Sequence, residues 1–286
     1  MHIYEKRDER NSLITEILKG CKRIGINGHS LNYNVSEYLK KITKAKLIDV
    51  SANINSVIAV KDKKEISEIK KACSVSSETA SAIPKMLFDG ITEKEMARLI
   101  ESSMRDNGGY GNAFETIAAF GPNSAEPHYR PGEAKLKKGD AALFDFGSKY
   151  GMYCSDLTRT VFFGKPKEIL ERAYDIVLKA KNTGMKKMYD GASAKDADTA
   201  ARQVIDESEF KGKFIHSFGH GIGMNIHESP SVSHISDDIL KEGMVVSAEP
   251  GIYIPGIGGI RIEDTVLITK NGCESLTKFD DAYTVI

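Results

Sequence analysis

Two pairs of acidic residues restrict this chain more than any other feature. In "FDFGSKYGMYCSDLTRT", residues 144–160, Asp145 and Asp156 interrupt a pair of apolar, strand-like runs. They are symmetric about a point between Tyr150 and Gly151, at the end of the turn "GSKYG". A hairpin folded there sets the two carboxylates directly opposite each other on one face of a sheet. The construction recurs in "SAEPGIYIPGIGGIRIEDT", where Glu249 and Glu263 are symmetric about Gly256 in a Gly/Pro-rich loop. Unpaired buried carboxylates destabilise a core, and like charges placed so require a cation.

Four carboxylates could hold one hard cation, but a nearby imidazole shifts the preference towards a pair of transition-metal ions. The stretch "HSFGHGIGMNIH", residues 216–227, supplies His216, His220 and His227, with glycines that let the backbone approach whatever the imidazoles touch. His128, in "EPHYRPG", is a fourth candidate. Taken singly, a strand aspartate often marks a bend, and a lone histidine is more often a satisfied hydrogen-bonding residue than a ligand. Together they form a set of compatible donors with no cheap structural purpose.

The rest of the chain frames this set. With 286 residues and 41% hydrophobic side chains it can bury a substantial core, as one large domain or two of ordinary size. Lys plus Arg and Asp plus Glu number 40 each, so no net field favours nucleic acid or an anionic membrane. The charged, then amphipathic opening contains no signal-peptide core, and no later run is long enough to span a membrane, so a cytoplasmic protein is expected. Cys21, Cys73, Cys154 and Cys273 are far apart without a C-x-x-C pair and read as free, mostly buried thiols.

The character of the sequence changes near Lys61. Residues 22–60 read as short strands ("KRIGING", "KLIDVS", "SVIAV") around one helical piece, "SEYLKKITK". A long helix follows, its inward stripe being Ile66, Ile69, Ala72, Cys73, Ala80 and Ile83. A second helix opens with the capping-box pair Thr92 and Glu95, turns Met96, Leu99, Ile100 and Met104 inward, and ends at Asn107-Gly108. Two more are predicted at about 166–183, opened by Pro166, and 193–206, opened by Ser193 with Asp196. Strands are predicted near 114–120, 141–146, 152–163, 244–249 and 259–268. Helices and hairpins in separate blocks indicate α+β architecture.

From about residue 61 to the end the chain resembles the metallopeptidases of the pita-bread (creatinase/aminopeptidase) fold, which include methionine aminopeptidases, aminopeptidase P and Xaa-Pro dipeptidase (prolidase). The resemblance is carried by "FDFG…SDLTRT", "GHGIG…HE", "SAEPG" and "RIEDT", in family order. It implies a curved antiparallel sheet flanked by helices over residues 61–286. Residues 1–60 are similar to the latter part of the additional N-terminal domain of prolidases and aminopeptidase P, a shortened α/β segment.

The resemblance also implies two divalent metal ions, manganese or cobalt first, with iron or zinc also compatible. Asp145 would bind one ion with both oxygens, Asp156 and Glu263 would bridge both, and His220 with Glu249 would complete the other ion's shell. A water shared by the ions becomes hydroxide near neutral pH, with Glu249 as proton shuttle. His227 would stabilise the oxyanion, and His128 would contact the substrate beside the scissile bond. His216 stands where the proline-directed members carry a substrate-side histidine. Arg261 would pair with a substrate carboxylate or with a neighbouring acidic residue.

"PHYRPG" and "GGIRIEDT" look more like the Xaa-Pro enzymes than the methionine aminopeptidases. The expected activity is hydrolysis of the Xaa-Pro bond in dipeptides or short peptides by a homodimer. The alternatives are a methionine-type or general aminopeptidase, a non-catalytic binding protein of the same fold, and a metal-free creatinase-like hydrolase.

Overall fold

The structure, a computed structural model, describes residues 5–279 and 284–286. The chain divides into two compact units, Met1–Ile58 and Ala59–Ile286. In the first, α1 (Arg7–Ile17) precedes β1 (Arg23–Ile26), α2 (Tyr33–Ile42), β2 (Lys46–Asp49) and the start of α3 (Ser51–Ala59). Strands β1 and β2 pair in parallel, with Ile24 opposite Leu47, so α2 is the crossover of a small βαβ unit.

The run "SVIAV", expected as a strand, lies largely in α3. Five apolar-rich residues do not separate the two periods. Over nine residues, the half-buried Ile54 and Ile58 recur at i and i+4 while Val57 faces solvent, which is the helical pattern. The Asp49 carboxylate accepts from the Ser51 N–H at 2.9 Å and so starts that helix.

The second unit opens with α4 (Lys63–Met86), capped reciprocally by Asp62 and Glu65, and α5 (Glu93–Asp106), capped by Thr92 and Glu95. Then come β3 (Gly111–Asn112), β4 (Ile117–Phe120), a 3₁₀ turn at Gly121–Ala125, and the strands β5 (Asp140–Phe146), β6 (Ser148–Tyr150), β7 (Tyr153–Cys154) and β8 (Leu157–Phe163). Helices α6 (Glu168–Met185) and α7 (Ala194–Asp206) follow. Next are β9 (Gly219–Gly221), β10 (Glu228–Val232), β11 (Val245–Ala248), β12 (Gly251–Ile254), β13 (Gly258–Arg261), β14 (Asp264–Thr269) and β15 (Gly272–Ser275). Ser193 precedes α7 as expected, but its side chain caps no backbone N–H.

One plan serves both halves of this unit. Helices α4 and α5 bury Ile83, Met96, Ile100 and Met104 against Phe144, Phe146 and Val161 of the antiparallel block β4-β5-β8. Helices α6 and α7 bury Tyr174, Val177, Ala197 and Ala201 with Val246 and Val266 of the five-stranded sheet β10-β9-β11-β14-β15. Helices on strand blocks of antiparallel order give the α+β class. The first acidic hairpin is built on β5 and β8 of the first block, and the second extends from β11 and β14 of the second.

Leu99 departs from its expected place, being 40% exposed while Ile100 is fully buried. The α5 stripe is narrower than its apolar residues suggest. Ile100→Ala is expected to cost about 2–5 kcal/mol in urea unfolding, whereas Leu99→Ala should stay within about 1 kcal/mol of the parent. Equal losses would place Leu99 in the core.

Candidate metal centre and substrate cavity

The first acidic hairpin turns at Gly151-Met152. Tyr150 faces Tyr153, and Gly151, at φ +58°, supplies the positive φ that a two-residue hairpin needs at its first central position. The register therefore sits two residues away from the expected one. Asp145 lies opposite Thr158 rather than Asp156. Because side chains alternate with a period of two, a shift of two residues keeps both aspartates on one face, now diagonal instead of directly opposed. Asp156 falls in the break between β7 and β8, where its N–H donates to Thr265 Oγ1 at 3.0 Å and its carbonyl accepts from the same hydroxyl at 2.7 Å.

The second hairpin follows the expected register. Ala248 pairs with Asp264 and Gly251 with Arg261, so Glu249 and Glu263 face one another in the gap between those pairs. The hairpins are stitched together by Glu263 N–H donating to Thr158 O at 3.1 Å and by Thr158 Oγ1 donating to Glu263 Oε2 at 2.5 Å.

His220 arrives on β9. Gly219 and Gly221 flank it because a Cβ at either would collide with a neighbouring backbone carbonyl, of Ser247 or of Ser229. These glycines thus admit adjacent strands rather than a ligand, which corrects the expectation from sequence. His220 Nδ1 donates to the Gly221 carbonyl at 3.1 Å, leaving Nε2 directed at Asp156 Oδ2 (3.5 Å) and Glu249 Oε1 (3.4 Å). Ligand atoms of Asp156, His220 and Glu263 all lie within 4.8 Å of one another.

Arg261 is 3% exposed and takes the acidic-residue alternative of the two raised for it, pairing through Nη2 with Asp145 Oδ2 at 2.5 Å. Its Nε donates to Thr158 Oγ1 (3.1 Å) and its Nη1 to the Tyr253 hydroxyl (2.9 Å). Both nitrogens of His216 are engaged as well, Nδ1 with Ser217 O (2.9 Å) and Nε2 with Tyr253 OH (2.8 Å). A carbonyl only accepts, so Nδ1 carries the hydrogen and Nε2 accepts from the tyrosine. His227 packs edge-on to His220, ring centroids 4.4 Å apart. Every candidate residue, from His128 to Glu263, lines one cavity of about 560 Å³.

Burial is the largest influence on these carboxyls. It pushes Asp156 up to about 7, opposed by the hydrogen bond to His220 and reinforced by Asp145. It also raises Glu249, and it carries Glu263 well above the usual range with Asp156, Glu249 and Asp145 adding repulsion. For His220, burial opposes the charge, but Asp156 and Glu249 outweigh it and raise the imidazole to about 9. Burial lowers His216 to about 3, with Arg261 acting in the same direction, so that ring is neutral.

Buried oxygens Asp145 Oδ1, Asp156 Oδ1 and Glu263 Oε1 have no hydrogen-bond partner among the described residues. Leaving such atoms bare costs free energy that folded proteins avoid. Carboxylate oxygens with one imidazole suit a divalent transition-metal ion, so the residues present fit the cation that the sequence calls for. Thr158, Ser247 and Tyr253 were not singled out from sequence. Thr158 had a faint signal, lying two residues beyond Asp156 on the same face; Ser247 and Tyr253 had none.

The fold and the site are those of a metal-dependent peptidase. Residues 67–270 match Metallopeptidase family M24, and the chain belongs to that family. Over 276 residues it is 41% identical to the Xaa-Pro dipeptidase of Pyrococcus furiosus, covering 96% of this chain and 78% of that protein. The structure of the Xaa-Pro dipeptidase from Bacillus anthracis superposes with a TM-score of 0.94 at 35% identity, covering 100% of this chain and 80% of that one. An X-Pro aminopeptidase from Thermotoga maritima MSB8 gives 0.93 at 33% identity, with 100% and 81% covered. The fold is the pita-bread fold, and the protein is an enzyme. Among the described residues no helix is long and apolar enough to cross a membrane.

Without metal, the folded protein keeps protons on carboxyls that the unfolded chain releases above about pH 4. Groups whose folded pKa is raised contribute stability at low pH and lose it as pH rises, for Asp156 through about 7. A divalent ion replaces those protons and removes that slope. The Tm difference between manganese-loaded and chelator-treated protein should therefore widen as the pH rises from about 4.5 to about 7. A constant difference would show that the ion does not replace protons at these carboxyls.

Proposed function

We propose that this enzyme hydrolyses the Xaa-Pro bond of dipeptides or short peptides, using two divalent ions held by Asp145, Asp156, His220, Glu249 and Glu263. The observation that carries the reading is the convergence of partnerless carboxylate oxygens with His220 Nε2 in one cavity. The Xaa-Pro preference is supported by the named activities of the relatives in Pyrococcus furiosus and Bacillus anthracis. When bound, the ions would supply Lewis acidity, polarising the scissile carbonyl and lowering the pKa of water towards neutrality.

The chain's own residues do the rest. Glu249 accepts the proton from the attacking water and returns it to the departing nitrogen, a role that its burial-raised pKa suits. The nitrogen of an Xaa-Pro bond carries no hydrogen, so proline leaves as an amine only after receiving that proton. Burial, and next the charge on His220, lower His227, so it meets the oxyanion as a neutral N–H donor. His128, exposed on the loop after the 3₁₀ turn, contacts the substrate next to the scissile bond. Arg261 holds Asp145 in place, and His216 reaches Arg261 through Tyr253. His216 therefore serves the site from behind, with no ring nitrogen left for the substrate.

A second reading, an aminopeptidase acting on longer peptides, is favoured by the likeness to the Thermotoga maritima enzyme. Hydrolysis of Met-Pro, Ala-Pro-Ala and Met-Ala-Ser, with chelator and with added manganese or cobalt, separates the two. Metal-dependent cleavage of Met-Pro above the others is expected. Preference for Ala-Pro-Ala or Met-Ala-Ser would establish the aminopeptidase, and turnover indifferent to chelator would remove the metal. Glu249→Gln should reduce kcat by about a thousandfold or more while the protein still unfolds cooperatively. Turnover near the parental value at saturating metal would eliminate Glu249 as the proton shuttle.

A further inference from the structure

A short peptide brings its own C-terminal carboxylate into a cavity already walled by carboxylates, and something there must offset that charge. Among the described residues, two guanidinium groups line the cavity, those of Arg130 and Arg261. Arg261 is buried and spends its donors on Asp145, Thr158, Tyr253 and the Pro127 carbonyl. The Arg130 side chain is 86% exposed, and its ion pair is with the equally open Glu115 at 3.7 Å. Solvent screens such a pair almost completely, so the guanidinium can exchange it for another anion at little cost.

The loop that presents Arg130 is held firmly. Glu93, fully buried at the start of α5, accepts hydrogen bonds from Phe120 N (2.9 Å), Asn123 Nδ2 (2.9 Å), Tyr129 OH (2.8 Å) and Gly132 N (3.0 Å). Tyr129 and Gly132 bracket Arg130, and Pro131 stiffens the backbone immediately after it. The guanidinium is thus solvent-exposed on a hydrogen-bonded base, two residues from His128. A second groove, of about 550 Å³, shares Phe114, Glu115, Thr116, Arg130 and Pro131 with the cavity and continues to Lys94 and Arg98 on α5. Arg130 stands where the two meet.

We propose that Arg130 is a specificity-determining residue that binds the free C-terminal carboxylate of a short peptide substrate. The assignment rests on the peptidase reading above and deepens it. A planar guanidinium can grip a carboxylate through two parallel hydrogen bonds, which an amide at the same place does not accept. The enzyme then senses substrate length by charge: in a longer chain the carboxylate moves away from Arg130 along the groove.

The test compares Met-Pro with Met-Pro-amide, using the manganese-loaded parent, Arg130→Ala and Arg130→Lys. The parent should prefer the free acid. In Arg130→Ala that acid-over-amide ratio of kcat/KM should fall about tenfold, mostly through KM, and Arg130→Lys should keep part of it. An unchanged ratio in Arg130→Ala would overturn the assignment. Calorimetric titration with proline and prolinamide reads the same interaction without turnover. Selective weakening of proline binding in Arg130→Ala supports the assignment, and equal effects on both ligands overturn it. A parent that fails to cleave Met-Pro would refute the dipeptidase reading, and the titration would still decide the role of Arg130.

Discussion

Mutual repulsion among carboxylates in one water-poor space is the constraint around which this molecule is built. Asp145, Asp156, Glu249 and Glu263 surround a cavity in which burial raises Asp156, Glu249 and Glu263. Arg261 neutralises part of that charge through Asp145, and Thr158 links the two hairpins by bonding both Arg261 and Glu263. The remaining bare oxygens turn inward together, which is what a cation requires and what an apolar core would reject.

Strand alternation puts a second charged network behind the first. Glu263 lines the cavity and Thr158 bonds it on the same side of the sheet, so the next residues, Arg159 and Asp264, point to the opposite side. There Arg159 and Lys181 both bond the Asp264 carboxylate, and Thr277 donates to it at 2.8 Å. Arg159 also donates to the carbonyls of Thr158 and Glu263, clamping the backbone on which the cavity-facing side chains depend. A buried ionic network is a weak source of net stability. Its effect here is geometric, fixing both strands by the same guanidinium.

The loops that complete the cavity are fastened by helix acids in a similar way. Glu93 gathers the segment bearing His128. On α7, Asp198 accepts from Phe218 N at 2.9 Å while Arg202, paired with Asp198, donates to the carbonyls of Phe214 and His216. The chain entering β9, and with it His220, is set by that pair. Rigid helices thereby impose their order on segments that have little regular structure of their own.

The sequence by itself determined the chemistry and much of its placement. Symmetric acids about a turn put carboxylates on one face, since a period of two survives any even shift in register, and the loop centred on Gly256 set the second pairing directly. The imidazole beside them shifts the preference of such a donor set towards transition-metal ions. Tertiary structure decided what depends on distant neighbours. The turn at Gly151-Met152 set the first hairpin's register, two residues away from the symmetric pairing expected from sequence. Asp145, 116 residues away in the chain, claimed Arg261, and Tyr253 claimed His216. Local periodicity reports which face a side chain takes but not which partner waits on that face, so the acidic residues and histidine that line the cavity were legible and their supporting hydrogen bonds were not.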